Sequence, residues 1–249
     1  MSNVIDSPND KVCPKCNKTL HPGVNKSGNH VGNSPILGGN ILKNKYNNAD
    51  EHPLSLINDR DSDGLPYAVA QAHHLIVTQA MQDDDDWGVI CANNGYSINH
   101  ENNGVYLPGD PRIACDCKIP LHQGSHKYTN HKHPSLTNVN YPAVVIRSIR
   151  GVKKDALQGK FCESPKDVVN QLDKISKSLL NAIINFSLTL TSDGLHYRSG
   201  DTIGCSNHKK MSMKKKIKGT LTHSNLANCD LQRIHGFKLV EGSHYYNEK

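Results

Sequence analysis

The chain has 249 residues, of which 36% are hydrophobic and 5% aromatic, and it carries a formal net charge of +6. This apolar fraction is below the roughly 45–50% of globular domains, which excludes one large core and predicts a modest core with long polar loops. No apolar run reaches the roughly 18 residues of a transmembrane helix, so we expect no membrane partner. The polar N-terminus excludes a Sec signal peptide. We therefore expect either a cytoplasmic protein or one exported by a specialised secretion system into a target cell.

Residues 1–62 are poor in regularly spaced apolar positions and rich in glycine, asparagine and proline. This pattern predicts an irregular segment, with at most short strands at Ile36-Leu37 and Ile41-Leu42. A segment with so few apolar residues needs something other than a core to order it.

Closely spaced cysteines are candidates to order this segment by binding a metal ion. In a cytoplasmic protein they bind metal more often than they form disulfides. We predict a structural zinc site in which a Cys-Xaa2-Cys knuckle is completed by two cysteines from the middle of the chain, Cys13, Cys16, Cys115 and Cys117. The alternatives are reduced free thiols, or a different ligand set that includes His21 or Cys91.

The central region begins with an apolar, strand-like stretch over residues 67–77 that only His73-His74 interrupts. Residues 78–93 then have a helical pattern, with the four acids Asp83–Asp86 expected to be solvated. A short strand or turn over residues 104–107 ends at Pro108.

Four histidines in this region suggest a metal site. Neighbouring residues on a strand face opposite sides, so one of His73 and His74 can bind metal while the other faces a water molecule. His122 and His126 are four residues apart at the start of a predicted helix, which places them on one helical face. Such a set predicts a hydrolytic metal centre with open positions. With 15 histidines in the chain, a pair at this spacing also arises by chance.

The C-terminal region contains the clearest helix, over residues 164–190. Ser164 is the expected N-cap, Pro165 suits the first helical position, and apolar residues recur on one face. Short strand-like pieces and a basic run over residues 209–218 follow.

Two further sets in this region are open to two interpretations. The first set either forms a second zinc site or consists of unconnected loop residues, and its members are Cys205, His208, His223 and Cys229. The basic run either contacts a phosphate backbone or is a solvated face, and its central lysines are Lys214, Lys215 and Lys216.

Three motifs in order resemble the AHH family of the HNH/endonuclease VII superfamily of nucleases. They are Ala72-His73-His74, the segment Asn103–Pro108, and His122-Xaa-Gly-Ser-His126-Xaa-Tyr128. The resemblance covers about residues 67–131 and implies an α+β fold. Its nuclease core, residues 63–135, would be a small ββα-metal finger. Such a finger consists of a β-hairpin, a connecting loop and a helix arranged around one divalent cation. An irregular zinc-stapled segment would precede the core, and a helix-plus-strands region, residues 136–249, would follow it.

The resemblance also implies roles for these side chains. His73 and His126 would bind the metal, and His122 would be a further ligand or a phosphate contact. His74 would be the general base. Asn103 would hold the hairpin that carries this base and orient it.

Other residues would contact the substrate. Tyr128 is implied to reach the phosphate, and Lys127 and Arg112 are candidates to clamp it. Ligation by histidine with few carboxylates tolerates Mg²⁺, Mn²⁺, Zn²⁺ or Ni²⁺ as the catalytic metal.

We therefore expect a metal-dependent endonuclease, with DNA favoured as substrate. The resemblance further implies an antibacterial toxin or effector, which would need a cognate immunity protein and a secretion apparatus. The alternatives are an RNase of the same fold and a zinc-stapled nucleic-acid-binding module without catalysis. The adjacency of His73 and His74 argues against the last, because zinc stapling alone does not require it.

Overall fold

The computed structural model describes residues 11–45, 70–109, 114, 120–124, 126 and 140–192. Within these ranges the chain forms a mixture of helices and strands, as predicted. In chain order they are α1 (Ser34–Lys45), β1 (Ala70–His74), α2 (Asp85–Asn94), β2 (Gly104–Pro108), β3 (His122–Gln123), α3 (Tyr141–Leu157), α4 (Lys166–Ile184) and β4 (Leu190–Thr191). Short 3-10 helices lie at Thr78–Ala80 and Glu101–Asn103.

Two small sheets carry the histidine motifs. β1 and β2 are antiparallel, with Ala70 opposite Pro108 and His74 opposite Gly104. This pairing confirms the predicted strand that ends at Pro108. β3 and β4 form a two-residue parallel pair, so the segment that carries His122 is attached to the chain that follows α4.

The N-terminal segment contains a helix, α1, where the sequence suggested short strands. Asn33 caps it, since its side-chain oxygen accepts a hydrogen bond from the Ile36 N–H at 3.0 Å. Leu37 and Ile41 lie four residues apart and are fully buried. Their spacing fits one helical face but is too sparse to have predicted a helix in a background of glycine and asparagine.

That face of α1 packs directly on the β1–β2 sheet, against Ala72 and Tyr106. The helix can approach this closely because Gly104 has no side chain. A Cβ at that position would lie 2.6 Å from methyl carbons of both Leu37 and Ile41. Hydrophobic contact therefore orders part of the N-terminal segment.

The helix predicted over residues 78–93 is interrupted, and α2 begins only at Asp85. Asp84 is the N-cap of α2, because its side-chain oxygen accepts a hydrogen bond from the Asp86 N–H at 3.2 Å. Three of the four acids are exposed, as predicted, and Asp84 is partly exposed. Two of the four also form ion pairs, which the sequence did not predict. The Lys153 ammonium lies 2.6 Å from a carboxylate oxygen of Asp84 and 2.8 Å from one of Asp86, which ties α2 to α3.

α4 is the helix that the sequence placed at 164–190, but it is shorter at both ends. Ser164 is not the N-cap; Pro165 occupies that position without a side-chain hydrogen bond. The helix ends at Ile184, and Phe186 follows in the left-handed region at φ 57°. The apolar face was correct, and its buried residues are Val168, Val169, Leu172, Leu179, Leu180 and Ile183.

α3 and α4 share one hydrophobic core with the elements that carry the histidines. Buried residues of α3 (Tyr141, Val145, Ile149) and of α4 contact the loop after β1, α2 and β2 in this core. The helices of the C-terminal region therefore support the site directly. Among the residues placed by the structure, no helix is both long and apolar enough to cross a membrane.

Candidate active site

Three histidine rings meet at one side of β1. The ring centroids of His73 and His122 are 4.8 Å apart, those of His73 and His126 are 5.1 Å apart, and those of His122 and His126 are 4.8 Å apart. One ring nitrogen from each lies within 4.8 Å of the other two. These are the three residues that the sequence suggested as ligands of a catalytic metal.

The local structure that brings His122 and His126 together differs from the prediction. His122 lies in β3, paired with Leu190 of β4, and is not on a helix. Gly124 has φ +77°, which a right-handed helix does not allow. The turn at Gly124 folds His126 back beside His122, so a strand and a turn achieve the convergence that was expected from helical spacing.

Each of the three rings has a nitrogen available for a cation. His122 Nδ1 is 2.7 Å from the side-chain oxygen of Gln71, so this nitrogen carries the proton and Nε2 keeps its lone pair. His73 Nε2 and His126 Nδ1 are buried and lack a hydrogen-bond partner among the described residues. Leaving a buried polar atom unpaired costs roughly 1–3 kcal/mol, so these converging lone pairs fit a metal ion well.

The electrostatics of the cluster favour the neutral rings that metals bind. Burial lowers the pKa of His73 well below its usual range, and the neighbouring His122, His126 and His74 lower it further. Burial and the neighbouring His126 lower the pKa of His122 to about 3. Burial also lowers the pKa of His126, although a hydrogen bond with the Leu190 backbone opposes this effect.

Tyr141 forms one wall of this cluster and was not identified from the sequence. Its ring centroid is 5.3 Å from that of His73 and 6.1 Å from that of His126. Its hydroxyl donates to the Leu75 carbonyl at 2.7 Å, so it also fixes the chain just after β1. The available signal was the helix start, in which Asn140 caps α3 and Pro142 lies in its first turn.

His74 lies on the opposite side of β1, as expected for its neighbour on a strand. Its Nε2 is 2.9 Å from the side-chain oxygen of Asn99. The orientation of this amide is fixed, because the same oxygen accepts from the Asn33 N–H at 2.7 Å and the amide nitrogen donates to the Val31 carbonyl at 3.0 Å. His74 Nε2 must therefore be the donor, which leaves the lone pair of the neutral ring on Nδ1.

Burial lowers the pKa of His74, although the hydrogen bond with Asn99 opposes this effect. The ring is therefore neutral at pH 7 and able to accept a proton. No feature of the sequence distinguished Asn99 from the many other asparagines, since its role depends on the path of residues 31–33 across it.

Asn103 is fully buried and holds the chain that leaves β1. Its side-chain oxygen accepts from the Ile76 N–H at 2.7 Å and from the Ser176 hydroxyl at 3.0 Å. Its amide nitrogen donates to the carbonyls of Ile76 at 3.1 Å and Ile98 at 2.9 Å. The structure thus places Asn103 where it supports the hairpin, while the contact with the His74 ring is made by Asn99.

Replacing Asn103 with alanine is expected to lower the free energy of unfolding by at least about 2 kcal/mol, because buried backbone groups of Ile76 and Ile98 lose their partners. Ser176→Ala removes one hydrogen bond to the same amide but leaves the backbone groups of Ile76 and Ile98 paired, so it should cost less, about 1 kcal/mol. Urea denaturation followed by circular dichroism measures both. Equal, small losses for the two variants would contradict this account of Asn103.

A second cluster joins the N-terminal segment to the connection between α3 and α4. Cys13 and Cys16 meet His21 and Cys162, with one potential ligand atom from each within 4.8 Å of the others. The structure thus brings Cys162 and His21, the latter an alternative ligand in the sequence analysis, to this cysteine pair. The predicted partners Cys115 and Cys117 lie outside the described residues. Cys162 was missed because it is a lone cysteine without a partner at knuckle spacing.

Cys91 is separate from this cluster and is a fully buried free thiol. Several other predicted residues lie outside the described part of the chain. They are Arg112, Lys127 and Tyr128, the suggested second zinc ligands Cys205, His208, His223 and Cys229, and the lysines of the basic run, Lys214, Lys215 and Lys216.

The sequence of residues 58–179 matches the AHH family, described as a nuclease family of the HNH/ENDO VII superfamily with conserved AHH. The match begins ahead of β1, contains all four site histidines, and extends through most of α4. Neither a curated protein nor a solved structure shows significant similarity to the chain. The family match and the histidine geometry agree that the chain belongs, through residues 58–179, to the AHH nuclease family of the HNH/endonuclease VII superfamily.

Proposed function

We propose that the protein is a metal-dependent endonuclease that hydrolyses phosphodiester bonds, with His73, His122 and His126 as ligands of one divalent metal. The observation that supports this best is the convergence of one buried and two partly buried histidines beside the Ala-His-His strand. Two of these rings have a buried nitrogen without a hydrogen-bond partner among the described residues. HNH-type nucleases use a divalent metal, and three neutral imidazoles leave coordination positions open for water or a phosphate oxygen.

The cation, when bound, would supply a positive charge for the phosphate group as negative charge grows on its oxygens. The chain itself contributes the fixed frame. Gln71 orients the His122 ring through its Nδ1 proton, and a hydrogen bond with the Leu190 backbone orients the His126 ring. Imidazole ligands favour Zn²⁺ or Ni²⁺, and Mg²⁺ and Mn²⁺ remain candidates because water and phosphate oxygens would fill the open positions.

His74 is the proposed general base. Its neutral ring would take a proton on Nδ1 from the water that attacks phosphorus, and the ring would become positively charged. The Asn99 oxygen then accepts a hydrogen bond from a charged donor, which is a stronger interaction than that in the resting enzyme. Asn99 thus stabilises the transition state more than the ground state, which is the requirement for a contribution to rate.

We further propose DNA as the substrate and an antibacterial effector as the biological role. Both come from the resemblance to toxin nucleases and from the net charge of +6, which helps a protein approach a polyanion. Such an effector needs a cognate immunity protein in the producing cell and a secretion apparatus for delivery. The second candidates are an RNase of the same fold and a non-catalytic nucleic-acid-binding module.

The decisive experiment is cleavage of supercoiled plasmid and of structured RNA by the full chain. Reactions are run with EDTA and then with each candidate metal added back, while circular dichroism checks that the protein stays folded, because EDTA can also strip a structural metal. Metal-restored plasmid nicking supports the proposal. Cleavage of RNA alone indicates an RNase, and binding without cleavage in any metal indicates the non-catalytic module.

Replacing Asn99 with alanine is expected to lower kcat by about 10–100-fold, which corresponds to losing the roughly 1.5–3 kcal/mol of a hydrogen bond to a charged group. The matched control is Asn40→Ala, since Asn40 contacts the backbone carbonyl of Asn99 and not its side chain. Steady-state cleavage assays at saturating metal compare the two. An Asn99→Ala enzyme as fast as Asn40→Ala would contradict the positioning role.

A further inference from the structure

We propose that Cys13, Cys16, His21 and Cys162 bind a structural zinc ion that fastens the N-terminal segment to the nuclease domain. This site is separate from the three histidines and does not depend on the proposed catalytic activity. Three of its four residues precede the region that matches the nuclease family. Only Cys162, in the connection between α3 and α4, belongs to that region.

The spacing and burial of the four side chains suit tetrahedral zinc. Ligands about 2.3 Å from a tetrahedral zinc lie about 3.8 Å apart, and the Cys13 and Cys162 sulfurs are 3.8 Å apart. Cys13, His21 and Cys162 are 4%, 5% and 8% exposed, and Cys16 is partly exposed, so water reaches the cluster mainly from the side of Cys16. Three thiolates and one imidazole form one of the common ligand sets of structural zinc.

His21 is oriented with its free nitrogen available to the cluster. Its Nδ1 is 2.9 Å from the side-chain oxygen of Asn94, and the Asn94 amide nitrogen donates to the Ile90 carbonyl at 2.9 Å. The Asn94 oxygen must therefore accept, which puts the proton on His21 Nδ1 and the lone pair on Nε2. This Nε2 is buried and has no hydrogen-bond partner in the part of the chain that the structure describes.

A tight turn follows Cys13 and brings Cys16 back beside it, with one potential ligand atom of each in the same cluster. The turn closes with the Asn17 N–H donating to the Cys13 carbonyl at 2.9 Å, and Asn17 has φ 58°. Three sulfurs this close repel one another as anions, and a dication between them removes that repulsion.

The site would join parts of the chain that are 149 residues apart. Near it, Asn93 donates to the carbonyls of Lys11 at 2.7 Å and Thr19 at 2.6 Å, so backbone contacts and metal would hold the same turn. From this anchored turn the chain runs to residues 31–33, which fix the Asn99 amide. The zinc would therefore stabilise the segment that orients the base.

The experiment uses the full-length protein loaded with Co²⁺ in place of zinc, because only thiolate ligands give an intense near-ultraviolet charge-transfer band. Wild type and Cys91→Ser should show this band. Cys162→Ser should show a weaker band and hold about one equivalent of zinc less when purified. Cys91 is the matched control, since it is buried but lies outside the cluster.

A second measurement decides the matter if Cys162→Ser does not fold. Alkylation of wild type, mapped by mass spectrometry with and without zinc, should show metal-dependent protection of Cys13, Cys16 and Cys162. The proposal fails if zinc does not protect these thiols or if Cys115 and Cys117 are protected in place of Cys162. It also fails if peptide mapping without reductant reveals a disulfide between Cys13 and Cys162.

Discussion

Replacing His74 with alanine should lower the rate of phosphodiester cleavage by about 10²–10⁴-fold, the contribution typical of a general base. The ring is 6% exposed and is held by Asn99 through Nε2, so the variant removes the basic Nδ1 and leaves the three proposed metal ligands in place. Metal content, measured by mass spectrometry of the purified protein, should therefore equal that of wild type.

The matched control for this substitution is His30→Ala. His30 is a partly buried histidine of the N-terminal segment whose pKa is also lowered, mainly by burial. It is not one of the three converging histidines, so its replacement should leave kcat unchanged. Plasmid nicking by His74→Ala at the wild-type rate would refute the role of His74.

The parts of the site that could be predicted are those whose residues lie close together in short sequence motifs. Alternation on a strand was enough to assign His73 and His74 to opposite sides of β1, and the structure has them there. The convergence of His122 and His126 was expected from a helix, and it is achieved by a strand and a left-handed glycine. Spacing of four residues brings two rings together in more than one backbone conformation, so the pattern identified the residues and not the element.

The parts that could not be predicted depend on contacts between distant segments. The orientation of the Asn99 side chain is fixed by hydrogen bonds with Val31 and Asn33, which lie more than sixty residues earlier in the sequence. Cys162 meets Cys13 only because α3 and α4 turn at that point. α1 was missed because Leu37 and Ile41 are the only hydrophobic side chains buried among the described side chains of the helix. The closeness of its packing also depends on the absent side chain of Gly104.

Replacing His73 with alanine should abolish binding of the catalytic metal and reduce cleavage by about 10³-fold or more, because several kcal/mol of transition-state stabilisation are lost. His73 is the most deeply buried of the three rings, 2% exposed, and lies close to the other two. The thiolate site should keep its zinc in this variant, so the chain should lose one metal and retain the other. Metal analysis and cobalt spectroscopy distinguish the two losses.

A graded variant tests the same centre without removing a ligand. Gln71→Ala deletes the acceptor that fixes the His122 ring at 2.7 Å, and loss of such an orienting partner weakens metal affinity by about 10–100-fold. Cleavage by Gln71→Ala should therefore need more metal to reach half its maximal rate, with a maximal rate near that of wild type. Cleavage by His73→Ala should stay low at every metal concentration, since a missing ligand changes the coordination itself. Recovery of the full wild-type rate by His73→Ala at high metal would show that the three histidines do not hold the catalytic cation.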